Sequence, residues 1–145
     1  MDNDLPPFRD DGYLPVGLYK ATLELAVKRF GTGSRRRRYL VFRLKKWVEL
    51  AREVAALRLF IDGSFVTSKH EPNDIDAVVL LPPNFRQLVF RVTDAALELE
   101  HMILNRMPEE IFAAEDGRDW NDWIDFFSRT RESDNREKGL VEIVL

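Results

Sequence analysis

The stretch that decides the fold reads Ile61-Asp62-Gly63-Ser64-Phe65-Val66-Thr67-Ser68-Lys69-His70-Glu71-Pro72-Asn73-Asp74-Ile75-Asp76-Ala77-Val78-Val79-Leu80. On its N-terminal side Leu57, Leu59 and Ile61 alternate with Arg58, Phe60 and Asp62, which predicts a short strand ending at Gly63. On its C-terminal side Ile75 to Leu81 is rich in β-branched residues and closed by Pro82 and Pro83, which predicts a second strand. Gly63 to Asn73, polar and small, reads as a loop or short helix between them.

Asp74 and Asp76 stand two apart at the entry to the second strand, so both carboxylates share a face while Ile75 turns into the core. Carboxylates that close repel each other unless a cation lies between them. A hard divalent ion, Mg²⁺ or Mn²⁺, meets that need, because it takes oxygen ligands and completes its shell with waters and substrate phosphates. Gly63-Ser64, directly after a strand, offers close backbone approach, amides and a hydroxyl to phosphate oxygens. Taken singly, a Gly-Ser is usually a turn and an Asp-x-Asp a solvated or capping pair. Across two neighbouring strands they describe a phosphate cradle facing a metal-carrying carboxylate pair.

Working outward, Leu18, Thr22, Leu25, Ala26 and Phe30 recur at helical steps and predict a helix over Gly17 to Phe30, stopped by Gly31 and Gly33. Ser34 is a candidate N-cap for a longer helix whose apolar stripe runs through Leu40, Leu44, Trp47, Val48, Ala51 and Val54 or Ala55. The run Arg35 to Arg38 falls in its first turn, where cations oppose the helix dipole. It reads as a solvated helix start, with a phosphate- or RNA-contacting patch as the alternative. Beyond the second strand, the spacing predicts one helix from Phe85 to Met107 broken by Pro108, a short strand from Glu110 to Ala114 and a helix from Trp120 to Phe127. A charged loop, Thr130 to Lys138, and a last strand, Leu140 to Leu145, follow. Trp120, Trp123, Phe126 and Phe127 read as core packing, with base stacking as the alternative. Residues 1–16 read as an extended arm on which no core depends, and 17–145 as a single α/β (α+β) domain, a small mixed sheet flanked by helices.

Composition narrows the chemistry. With 145 residues, 45% of them apolar, the chain can bury a core of its own. Its 22 basic and 25 acidic side chains leave a net charge of −3, which argues against a surface built throughout to coat nucleic acid. No cysteine is present, which removes disulfides, thiolate nucleophiles and Cys-ligated metals. The acidic N-terminus is unlike a signal peptide and no apolar run approaches the ~20 residues a membrane span needs, so a cytoplasmic protein without a membrane partner is expected. His70 lies in the loop of interest without a second histidine near it in sequence, and His101 falls on a helix; neither carries an expected role.

The strand, Gly63-Ser64, nine intervening residues and Asp74-Ile75-Asp76 resemble the nucleotidyltransferase superfamily, whose hallmark is Gly-Ser after one strand and Asp-hydrophobic-Asp on the next. The wording from Asp62 to Lys69 and from Glu71 to Asp76 looks closer still to a bacterial and phage-associated family of small, largely uncharacterised nucleotidyltransferase-like proteins. Tyr13-Leu14-Pro15, Arg29-Phe30-Gly31 with the arginine run, and Lys138-Gly139-Leu140 extend the resemblance over most of the chain. It implies Mg²⁺-dependent transfer of a nucleoside monophosphate from a nucleoside triphosphate to a protein or RNA acceptor, in a toxin–antitoxin or phage-defence setting. By the same resemblance Asp74 and Asp76 hold the metal, Gly63 and Ser64 bind the triphosphate, Lys69 is a possible phosphate contact, and a third acid completes the set. Glu110 is the leading candidate for that acid, with Glu142 and no third acid as alternatives. The chain has Phe65-Val66-Thr67 where small active relatives often carry an arginine soon after Gly-Ser. The competing expectation is an inactive module of the same fold that binds a nucleotide or a partner; either version calls for a protein partner or a homo-oligomer.

Overall fold

The computed structural model describes residues 5–105 and 110–145. Three of its helices begin where a side-chain oxygen meets an otherwise unpaired backbone amide. Thr22 accepts from Leu25 N at 3.0 Å and opens α1 (Leu23–Phe30). Ser34, as expected, accepts from Arg37 N at 3.1 Å and opens α2 (Arg35–Glu53). Asp116 accepts from Asp119 N at 2.8 Å at the start of α5 (Gly117–Phe127). Each such cap is typically worth about 1 kcal/mol.

The strands are β1 (Leu18–Ala21), β2 (Arg58–Asp62), β3 (Asp76–Leu80), β4 (Ile111–Ala114) and β5 (Leu140–Ile143), joined in one sheet of order β1-β5-β2-β3-β4. β1 runs parallel to β5 and β4 parallel to β3, while β2 pairs antiparallel with both β3 and β5. The result is the small mixed α/β sheet that the alternation of patterns predicts. One face packs Leu59, Ile61, Ala77, Val79 and Val141 against the apolar stripes of α1, α2 and α4 (Asp94–Asn105). The other packs Phe60, Val78, Leu80 and Leu140 against Trp120 and Phe127 of α5. Phe60, expected to alternate outward, is fully buried for that reason.

Three expectations are corrected. The predicted Gly17 to Phe30 helix is a strand followed by a shorter helix, because β1 finds a ladder partner in β5: Leu18 faces Leu140 and Ala21 faces Ile143. The predicted long helix from Phe85 divides into α3 (Phe85–Phe90) and α4, with Val92 at a φ of 60°, so that α4 can turn onto α2 and β4. Arg106 to Pro108, where that helix was expected to end, lie outside the described residues. The arm is also part of the core. Leu14 is 1% exposed, and the Arg29 guanidinium donates to Leu5 O and Pro6 O at 3.2 and 2.8 Å while lying over the Phe8 ring. Among the described residues no helix is long and apolar enough to cross a membrane.

Candidate active site

The antiparallel register of β2 and β3 sets Asp62 directly opposite Asp76. Immediately after Asp62 the chain must turn back under the start of β3, and Gly63 does this at a φ of +90°. A Cβ there would stand 3.1 Å from Asp74 O, Asp74 Oδ1 and Asp76 N, so glycine answers both the backbone conformation and the close approach. A short 3-10 turn, Ser64–Val66, follows.

Ser64 and Asp74 are locked together. The amide and the hydroxyl of Ser64 each donate to Asp74 Oδ1 at 2.8 Å. The same hydroxyl oxygen accepts from the amides of Asn73 and Asp74 at 2.9 and 3.2 Å. The donors expected to cradle a phosphate are therefore turned onto the carboxylate that is expected to hold a metal. An incoming polyphosphate gains them only when Asp74 turns away.

Asp76 differs in every respect. It is 3% exposed, and its Oδ1 has no hydrogen-bond partner. Burial pushes its carboxyl up to about 7, with Asp74, Asp62 and Glu110 adding repulsion and Arg131 opposing them. Glu110 stands beside Asp76 alone: its carbonyl accepts from Ala77 N at 2.9 Å, and the parallel register of β3 and β4, continued back one residue, sets it next to Asp76, but it is not among the residues that line the cleft. Glu142 is not at this end. It accepts from Arg58 Nε and a terminal guanidinium nitrogen at 2.7 and 2.6 Å. Asp62, pushed up to about 6 by burial against the pull of Lys138, is held by Lys138 Nζ at 2.5 Å from both oxygens.

The group opens into a cleft of about 1010 Å³ whose far wall is the end of α5 and the loop 128–138. Lys69 and Arg131 line it, both exposed and both without a side-chain hydrogen bond or ion pair among the described residues. As a test of the metal expectation the donor set is mixed. An orphaned, buried carboxylate oxygen among like charges suits a hard cation. Among the described residues, however, no three Asp, Glu or His side chains gather closely enough to form a cage, so a cation here would need waters and phosphates for its remaining ligands.

A protein-family model matches residues 6–144, nearly the full length described. The chain belongs to DUF6932, a family of unknown function. Comparison with curated proteins and with solved structures finds no match.

Within this DUF6932 chain the arginine run has a local task. Arg37, 7% exposed, donates to the carbonyls of Phe30, Phe65 and Thr67 at 2.9, 2.8 and 2.7 Å, and also to Lys69 O. Arg36 donates to Pro72 O and Asn73 O at 3.1 and 2.6 Å. Two of the four cations therefore tie down the loop that carries Ser64 and Asp74, and Arg35 and Arg38 remain exposed. His70 is exposed, and His101 contacts Asn105 on α4. Sequence reasoning missed Asp62, Lys138 and Arg131. The position of Asp62 just before Gly-Ser is a usable signal for it, and Lys138-Gly139-Leu140 already stood out in the resemblance without a role for the lysine; nothing local marks Arg131.

Proposed function

We propose that this protein is a metal-dependent nucleotidyltransferase, moving a nucleoside monophosphate from a nucleoside triphosphate to a hydroxyl of a protein or RNA acceptor. The observation that carries the reading is Asp76 Oδ1: buried, unpaired and crowded by Asp74, Asp62 and Glu110 at the floor of an open cleft. Mg²⁺ or Mn²⁺, when bound, would neutralise charge on the phosphate oxygens and align the acceptor for in-line attack. Asp74 and Asp76 would hold it. Ser64, released from Asp74, donates its amide and hydroxyl to the polyphosphate, and Lys69 and Arg131 flank the same charge from opposite walls. Arg131 stands in for the arginine missing after Gly63-Ser64. The acceptor oxygen forms a bond to the α-phosphorus, the bond from that phosphorus to the bridging oxygen of the leaving group breaks, and pyrophosphate departs. The acceptor proton passes to one carboxylate, that of Asp76 or of Glu110.

A cytoplasmic setting supplies the nucleotide, and a chain without cysteine is compatible with it. A partner protein or a second copy of the chain presents the acceptor, in a toxin–antitoxin or phage-defence pair. One observation favours the second reading, an inactive binding module: the Ser64 donors are already satisfied by Asp74, and no three-acid cage is assembled among the described residues. The test is incubation with Mg²⁺ or Mn²⁺ and each α-labelled nucleoside triphosphate in cell extract. Label on a protein or RNA, lost in D74A/D76A, is the expected result; equal labelling by wild type and double variant, or none by either, overturns transfer in favour of the binding module.

A further inference from the structure

The cleft has a feature that phosphate chemistry does not use. Helix α5 turns Trp120 and Phe127 into the sheet, 1% and 5% exposed, yet leaves Phe126 in solvent at 64% exposure. An isolated exposed phenylalanine is ordinary on a protein surface. This one lines the same cleft as Asp74 and Asp76, on the wall that also carries Arg131. Its ring is held rather than loose. Trp123 and Phe127 stand at nearly right angles to it, with centroids 6.0 and 5.1 Å away. Trp123 is itself fixed by its indole N–H donating to Ala113 O at 3.2 Å. A flat, apolar, pre-oriented surface therefore lines a cleft whose other lining is mostly polar and charged.

A nucleotide has that same division: a flat base at one end and a polyanion at the other. We propose that Phe126 is the stacking platform for the nucleobase of the bound nucleoside triphosphate, with Arg131 of the same cleft as a phosphate contact. The inference rests on the nucleotide reading of the cleft and adds to it the residue that holds the base. Stacking on an aromatic ring recognises a π-face rather than a hydrogen-bonding pattern, so the platform accepts all four bases. It gives affinity for a nucleotide over a bare polyphosphate without choosing among nucleotides.

The experiment compares ATP with inorganic tripolyphosphate, each titrated calorimetrically in the presence of Mg²⁺ against wild type, F126A, F126L and F126W. Phe126 is mostly in solvent, so all four proteins should fold alike, and matching melting curves confirm it. Wild type is expected to bind ATP roughly ten-fold more tightly than tripolyphosphate, in line with the contribution of one stacked base. F126A and F126L should lose most of that preference with unchanged tripolyphosphate affinity, and F126W should keep it. Loss of both ligands together in F126A, or ATP binding equal to wild type, overturns the platform. Equal affinity of wild type for ATP and tripolyphosphate also overturns it and leaves phosphate binding at Ser64 intact. Failure of wild type to bind either ligand removes the nucleotide reading along with the platform.

Discussion

Arg58 and Asp62 lie four residues apart on β2 and so share a face of the sheet, yet the charges around them are arranged in opposite ways. At the Arg58 end one acid meets one base. Glu142 takes both guanidinium contacts, and the guanidinium lies 4.7 Å from the centre of the Trp120 ring. At the Asp62 end, acids outnumber the bases that touch them: Lys138 satisfies Asp62, and among the described residues no cation pairs with Asp76. The first cluster is complete without a ligand. The second lowers the stability of the empty fold, and a positively charged ligand is what would relieve it. The protein itself neutralises Glu142 and Asp62 and leaves Asp76 Oδ1 without a partner among the described residues.

The largest effect should come from making the crowded end worse. Lys138→Met leaves Asp62 buried without its cation, and breaking such a pair costs about 3 kcal/mol or more. Denaturant melts should show a larger loss near pH 8 than near pH 5, where Asp62 and Asp76 take up protons; an equal loss at both would mean the acids do not communicate. Arg58→Ala tests the complete end. Glu142 would be stranded with its side chain 7% exposed, but Arg58 is itself 39% exposed, so about 2 kcal/mol is expected.

Asp76→Asn should go the other way. A carboxyl at 3.8 in the unfolded chain and about 7 in the folded one makes the native state bind more protons between those values, so stability falls as pH climbs through that window. The amide removes that penalty. About 2 kcal/mol of stabilisation near pH 8, vanishing near pH 4, should appear in thermal melts, and destabilisation at pH 8 would break the contrast between the two ends. The smallest effect belongs to Arg36→Ala, which removes two hydrogen bonds to the loop and should cost about 1 kcal/mol. Faster amide exchange confined to residues near Ser64 and Asp74 would locate it there.

What was legible in the sequence was local. Ser34 and its apolar stripe marked α2, and Gly63-Ser64 with Asp74-Ile75-Asp76 marked the turn and the acid pair, because the residues that fix each geometry lie within one element or one loop. What was not legible depended on strands meeting across the chain. Leu18 to Ala21 matched a helical period as well as an extended one, and only pairing with β5 decides it. The split at Val92 follows from where α4 must pack, and the arm's place in the core from Arg29 reaching back to Leu5 and Pro6. In the candidate site, the carboxylates were visible, whereas their control by Lys138 and Arg131 was not, since a lone lysine or arginine in a charged loop carries no mark of the residue it will face. The arginine run was read as a surface and is in part a clamp, because backbone carbonyls leave no trace in a pattern of side chains.

The pairing of β1 with β5 has a consequence for how the protein comes into being. Lys138 sits just ahead of β5, the final strand, so during synthesis Asp62 and Asp76 are made long before the lysine that will hold Asp62. Without β5 between β1 and β2 the sheet is divided, and Asp62, already opposite Asp76 through the β2–β3 register, lacks the cation that holds it. Docking of β5 therefore completes the sheet and supplies the cation of Asp62 in the same step.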